Sequence, residues 1–176
     1  EAFPQMTLRL ILTRHAKSGW DDPDLEDFDR PLTERGRRSA TAIGRWLWEK
    51  GYRPDLILCS AAERTRETLD LILAEWPEHP EISYRQALYH ASARGILDVV
   101  AGTEARTVMV VGHNPGIGTL ACCIVAKRPE HPDFGRYPTG ATAVLDFDAE
   151  DWRSIKAGTC ADFTVPRDLL NDTEND

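Results

Sequence analysis

No apolar stretch in these 176 residues approaches the roughly 18 positions that a membrane-spanning helix requires. Residues 1–6 also lack a basic segment followed by an apolar one, the pattern of a secretory leader. Cysteine is scarce. Cys59, Cys122, Cys123 and Cys160 show neither the spacing of a disulfide framework nor the paired CxxC pattern of a zinc site. They read as reduced, mostly buried thiols in a cytoplasmic protein. Basic residues are outnumbered, 21 against 29 acidic ones, for a net charge of −8. That balance argues against nucleic acid as the main partner, because a phosphate backbone demands a basic footprint. It leaves room for a small cationic pocket inside an acidic surface. The chain holds no repeat, low-complexity tract or linker.

What the chain does contain is a near-continuous alternation of strand and helix signals, the pattern of an α/β domain with a largely parallel sheet. Leu8–Thr13 is the first strand. Thr33 is placed to cap a helix whose apolar face carries Ala40, Ile43 and Leu47, with Gly51 and Pro54 after its end. Asp55–Cys59 reads as a strand, residues 62–75 as a helix, and Ile82–Tyr84 as a short strand. Ser92 caps a further helix bearing Ile96, Leu97 and Val100. Arg106–Val111 is a dense β-branched strand of the fully buried kind, followed by a turn and a helix near 116–126. Thr142–Phe147 alternates as a later strand, with Trp152–Ala157 as its expected partner. From Pro166 the composition turns polar and acidic. The expectation is one domain over residues 1–165 and a frayed tail over 166–176.

Three strand ends carry unusual polar residues: Arg14-His15, then Ser60 to Thr68 with Arg64 in the first turn of a helix, then Gly112-His113-Asn114-Pro115. A parallel sheet brings all three to its carboxyl edge, where ligands bind in α/β folds. Two arginines and two histidines gathered there suit phosphoryl chemistry. Arginine grips phosphate oxygens in a bidentate manner, and neutral imidazole is a nucleophile. Each residue taken singly also has an ordinary reading as surface polarity, helix charge or loop bracing. Other motifs fit poorly. The spacings from Cys59 to Arg64 and to Arg66 do not match a cysteine phosphatase loop. Gly116 to Ala121 fits GxGxxA, but too few strands follow for a dinucleotide-binding half, so close helix packing is the better reading. Asp21–Asp29 carries six acids in nine positions without the glycine and final glutamate of a calcium loop. It reads as a solvated loop that steers a basic partner surface or discourages anionic competitors near the pocket mouth.

The four segments Leu12–Ala16, Pro31–Gly36, Ser60–Thr68 and Gly112–Pro115, in this order, resemble the histidine phosphatase superfamily, also called phosphoglycerate mutase-like. Arg14 to Ser18, Trp20 and Phe28 to Thr33 look most like its compact SixA-type phosphohistidine phosphatases. The resemblance runs from about residue 8 to about residue 147 and implies a three-layer α/β/α sandwich with a mostly parallel central sheet. It also implies a mechanism in which His15 attacks phosphorus and is transiently phosphorylated. Arg14, Arg64 and a protonated His113 bind the equatorial oxygens, Ser18 adds a hydrogen bond and Asn114 braces or contacts the substrate loop. A backbone carbonyl is expected to orient the other nitrogen of His15. No metal or other cofactor is implied.

Many larger relatives carry a carboxylic acid between the segments matching Ser60–Thr68 and Gly112–Pro115, whereas Ser83 to His90 holds none here. An imidazole leaving group needs less acid assistance than an alkoxide. The segment thus fits a phosphohistidine substrate on a protein, with Asp21, Asp22 or His90 as alternative proton donors. The absence of a long insertion between residues 68 and 108 points to an open site. A small-molecule phosphomonoesterase and a non-catalytic phosphate- or phosphoprotein-binding module are the other readings. The sequence is silent on oligomeric state.

Overall fold

The computed structural model describes residues 7–170. Strand β1 (Thr7–Arg14) alternates its side chains between two cores. Leu8, Leu10 and Leu12 enter one and Ile11 the other. It pairs in parallel with β4 (Thr107–Gly112), and β4 with β2 (Leu56–Ser60). Strand β3 (Glu81–Arg85) extends the sheet beyond β2, also in parallel. On the other side, β5 (Thr142–Asp148) runs antiparallel to β1, and β6 (Thr159–Thr164) antiparallel to β5. The sheet order is β3-β2-β4-β1-β5-β6, and only β5 runs against the other five.

Helices cover both faces, as the apolar runs of a buried parallel sheet require. Helix α1 (Glu34–Glu49) is capped by the Thr33 hydroxyl, which accepts from the Gly36 amide, and packs with α2 (Glu63–Leu73) over Ile11, Ile57, Met109 and Val111. The two helices approach closely at Gly44, where a Cβ would stand 2.8 Å from the Ile72 Cα. Helix α3 (Ala93–Ala101), capped by Ser92, and α4 (Gly116–Ile124) cover the opposite face through Ile96, Val100, Ile117 and Leu120. The result is the three-layer α/β/α sandwich with a mostly parallel sheet.

Three expectations change. Trp152–Ala157 does not pair with β5. Trp152–Ser154 forms a 3-10 turn, because Asp151 caps the amides of Arg153 and Ser154, and the Trp152 indole is buried with its Nε1 donating to the Ala105 carbonyl. The partner of β5 is β6, whose alternation is weakened by a bulge between Val144 and Leu145. Nor is the chain frayed from Pro166 as expected. Pro166–Leu169 forms a short helix (α5) with Pro166 buried and Leu169 against the α1–α2 core. Arg167 there donates to Asp133 at 2.8 Å. Residues 171–176 of that tail, like residues 1–6, lie outside the described residues. Of the four thiols, Cys59 is buried, Cys123 is exposed and the other two are half-buried, so "mostly buried" overstates their seclusion.

Candidate active site

The adjacency of β2, β4 and β1 decides where the motifs go. Their carboxyl ends lie level, with Arg14 opposite Gly112 and Cys59 opposite Val111. His15 follows β1, Arg64 begins α2 after β2, and His113 follows β4. All line one cavity of about 660 Å³ together with Arg14, Ser18 and Asn114. The His15 and His113 rings stand 5.4 Å apart.

His15 is buried, and its Nδ1 lies 2.7 Å from the Ala16 carbonyl. A carbonyl only accepts, so Nδ1 carries the proton and Nε2 keeps its lone pair. The Ala16 amide donates in turn to Thr68 Oγ1 at 3.0 Å, and that hydroxyl donates to the Arg64 carbonyl. The Ser60-to-Thr68 motif thereby fastens the segment after β1 that carries His15 to the helix carrying Arg64. Burial pushes the His15 ring down to about 3, opposed by the Ala16 bond and reinforced by the charges of Arg14, Arg64 and Arg30. Near neutral pH this imidazole is uncharged.

Arg14 Nη1 donates to the Tyr137 carbonyl at 3.2 Å, and Asn114 Nδ2 donates to the same oxygen at 2.9 Å. Asn114 Nδ2 also donates to the Arg136 carbonyl, and its Oδ1 accepts from the Gly118 amide. Its amide is thus spent on bracing the loop. Ser18 Oγ accepts from Arg30 Nη1 at 2.8 Å and keeps its own hydroxyl proton for another partner. His113 Nε2 lies 2.8 Å from Ser60 Oγ. Three buried nitrogens in this cluster have no hydrogen-bond partner: Arg14 Nε, Arg64 Nε and His113 Nδ1. Buried polar nitrogens without partners are costly, and all three belong to residues lining the one cavity, as a site built for an anion would have.

The expected protonated state of His113 is not the one its surroundings favour. Burial, then His15, Arg64 and His90, push it down to about 3, and Asp27 opposes this. Sequence had shown the positive neighbours' identity but not how tightly they are packed.

Sequence reasoning missed Asp27. Five acids of the Asp21–Asp29 loop stay exposed, but Asp27 turns inward at the cavity. Its backbone carbonyl accepts from Arg64 Nη1 at 2.7 Å and its Oδ2 from Arg64 Nη2 at 3.1 Å. Arg30 Nε donates to Oδ1 at 3.0 Å, and the Tyr89 hydroxyl donates to Oδ2. Burial alone pushes this carboxyl up, but Tyr89, Arg30 and Arg64 together hold it well below the usual carboxylate range. Arg30, itself buried, stacks over the exposed Trp20 ring at 3.6 Å. An acid inside a run of acids carries no local signal of burial. The arginine three residues later, within reach of the carboxylate across one turn, was the available clue. Among the described residues, no group of three or more His, Cys, Asp or Glu is placed to hold a metal ion. No helix is long and apolar enough to cross a membrane among those residues.

The two buried imidazoles predict an acid-sensitive fold. Their folded values, about 3, lie below the ~6.5 of an unfolded histidine. Between those values the unfolded chain binds more protons, so stability is present above about pH 6.5 and is lost as pH falls toward 3. Urea midpoints measured from pH 7 to pH 4 should fall with a slope approaching two protons. The slope should flatten in His113→Gln; an unchanged slope in that variant would contradict the assignment.

Comparison with known proteins agrees with this geometry. The model of the histidine phosphatase superfamily (branch 1) matches residues 10–89. An uncharacterized protein of Mycobacterium tuberculosis is 34% identical over 167 residues, covering 88% of this chain and 99% of that protein. The structure of a candidate phosphohistidine phosphatase SixA from Nakamurella multipartitia superposes with a TM-score of 0.76 at 31% identity, covering 91% of this chain and 96% of its own. A second candidate SixA, from Agrobacterium tumefaciens, gives 0.75 at 32% identity, over 93% of this chain and 100% of its own. With its motifs gathered at one cavity and its likeness spanning nearly the whole of these relatives, the chain belongs to the histidine phosphatase superfamily, on its SixA-like branch, and is a phosphatase that works through a covalent phosphohistidine.

Proposed function

We propose that the substrate is a phosphorylated histidine on a protein, hydrolysed in the cytoplasm, with His15 as the nucleophile. The observation that carries this reading is the pairing of a neutral His15, its Nε2 left bare by the Nδ1–Ala16 bond, with three unpartnered buried nitrogens. His15 Nε2 attacks phosphorus in line, and the P–N bond to the substrate imidazole breaks. Water then cleaves the phosphohistidine on His15. Arg14, Arg64 and His113 take the equatorial oxygens, where transition-state charge is spread. An arriving phosphoryl dianion favours the protonated form of His113, so the charge expected on this ring belongs to the substrate-bound state. Ser18 supplies a further donor, and Asn114 holds the loop that positions Arg14. The site carries its own positive charge, so the reading assigns no metal or other cofactor.

Substrate class is supported by two features. Both carboxylates lining the cavity, Asp27 and Asp133, are engaged by arginines, so neither is placed as a free carboxylic acid beside the leaving group. An imidazole leaving group is protonated more readily. The likeness to SixA-type structures points the same way. The test is to incubate the protein with a phosphorylated histidine-containing transfer domain and, separately, with an aryl phosphate, and to trap the acid-labile phosphoenzyme. Turnover of the transfer domain with a trapped intermediate is the expected result. Turnover of the aryl ester alone would favour a small-molecule phosphomonoesterase. Binding of the phosphoprotein without turnover or phosphoenzyme would make the chain a binding module.

A further inference from the structure

Cleaving the substrate's bond to phosphorus leaves an atom that needs a proton, and activating water needs a group to take one. The cavity offers few candidates. Asp27 is ionised by its hydrogen bonds with Tyr89, Arg30 and Arg64 despite its burial. Asp133 is held by Arg167 at 2.8 Å and Arg136 at 3.7 Å. Imidazole is the side-chain type whose ordinary range suits proton exchange near neutrality, and three imidazoles line the cavity: His15, His113 and His90. In the proposed reaction the first attacks phosphorus and the second holds its oxygens. His90 remains.

Its placement is specific. His90 adopts a left-handed backbone with φ of 56°, a conformation costly for a residue with a Cβ and often found where function demands it. Its ring lies 4.0 Å from the Tyr89 ring and 6.2 Å from the His113 ring, so the His15, His113 and His90 rings form one connected cluster. Nε2 of His90 stands 3.5 Å from Asp27 Oδ2, within ion-pair distance when the ring is protonated. The groups facing it are therefore Asp27, Tyr89 and His113, with Arg64 held behind Asp27. Its side chain is 63% exposed and lines the cavity.

We propose that His90, paired with Asp27, is the proton donor and acceptor of the reaction. This rests on the reading of His15 as nucleophile. In the first step the His15 Nε2–P bond forms, the bond from phosphorus to the leaving atom breaks, and the His90 imidazolium passes its proton to that atom. In the second, neutral His90 takes a proton from the attacking water as the O–P bond forms and the P–N bond to His15 breaks. The imidazolium is thereby regenerated, and the net change is hydrolysis alone.

His90→Gly is the informative variant, because glycine adopts the left-handed backbone freely and the fold is not put at risk. Across a series of aryl phosphates of rising leaving-group basicity, kcat/KM should fall about 100-fold for phenyl phosphate and under about 3-fold for para-nitrophenyl phosphate. Added imidazole should restore the lost activity in proportion to its concentration, and the alkaline limb of the pH profile should follow the added base. Equal losses across the series, or failure of rescue, would overturn the proposal and leave the phosphoenzyme reading intact. Absence of a phosphoenzyme in the unaltered protein would remove both.

Discussion

Replacing His15 with alanine is expected to lower turnover by at least about 10⁴-fold, with no phosphoenzyme trapped. The side chain supplies a ring nitrogen that the local hydrogen bonding prepares for attack. Nδ1 is fixed on Ala16, Nε2 is bare, and burial keeps the ring uncharged. The anion-binding groups do not depend on it. Arg14 is held by Tyr137, Arg64 by Asp27, and His113 by Ser60. His15→Ala should therefore bind orthovanadate within a few-fold of the unaltered protein, measured by calorimetry. Loss of binding in step with loss of turnover would mean that the substitution had collapsed the pocket. Retained turnover would show that another group attacks phosphorus.

Arg64→Lys should lower kcat/KM by about 10² to 10³-fold on aryl phosphate and phosphohistidine alike, the usual cost of removing one aligned transition-state donor. The change looks conservative in charge and is not so in geometry. The guanidinium spends Nη1 and Nη2 on the Asp27 carbonyl and carboxylate, and keeps Nε buried without a partner. Three donors fixed in one plane serve two directions at once; an ammonium on a flexible stem does not reproduce that fork. Asp27→Asn should cost less, about 10-fold, because the Asp27 carbonyl still receives Nη1. An Arg64→Lys enzyme with normal kcat/KM would show that the Arg64 side chain is structural. Steady-state kinetics at fixed ionic strength separates these outcomes.

The Asp27–Arg64 contact also marks where local reading stops. Thr33 as a helix cap, Ser92 as another, and the dense apolar strand before Gly112 were legible because each is specified within a few residues. The carbonyl on His15 Nδ1 was legible for the same reason, being that of the next residue. Asp27 was not. Its neighbours in sequence are acids, and only contacts with Tyr89, 62 positions away, and Arg64, 37 away, separate it from them. The 3-10 turn at Trp152 and the packing of α5 were hidden likewise, since the Ala105 carbonyl and the α1–α2 core lie far along the chain.

The alternation of strand and helix, the parallel character of the sheet and the residue types at three strand ends were written in the linear chain, because periodicity and capping act over one or two turns. Gathering of those ends followed from the sheet order β2-β4-β1, to which hydrophobic pattern is blind. Charge states were decided later still. That charge is disfavoured on His15 and His113 and that Asp27 is held ionised depend on burial and on charges brought within a few ångströms by distant segments. Solvation and Coulomb energy are properties of surroundings, and surroundings exist only once the chain has folded.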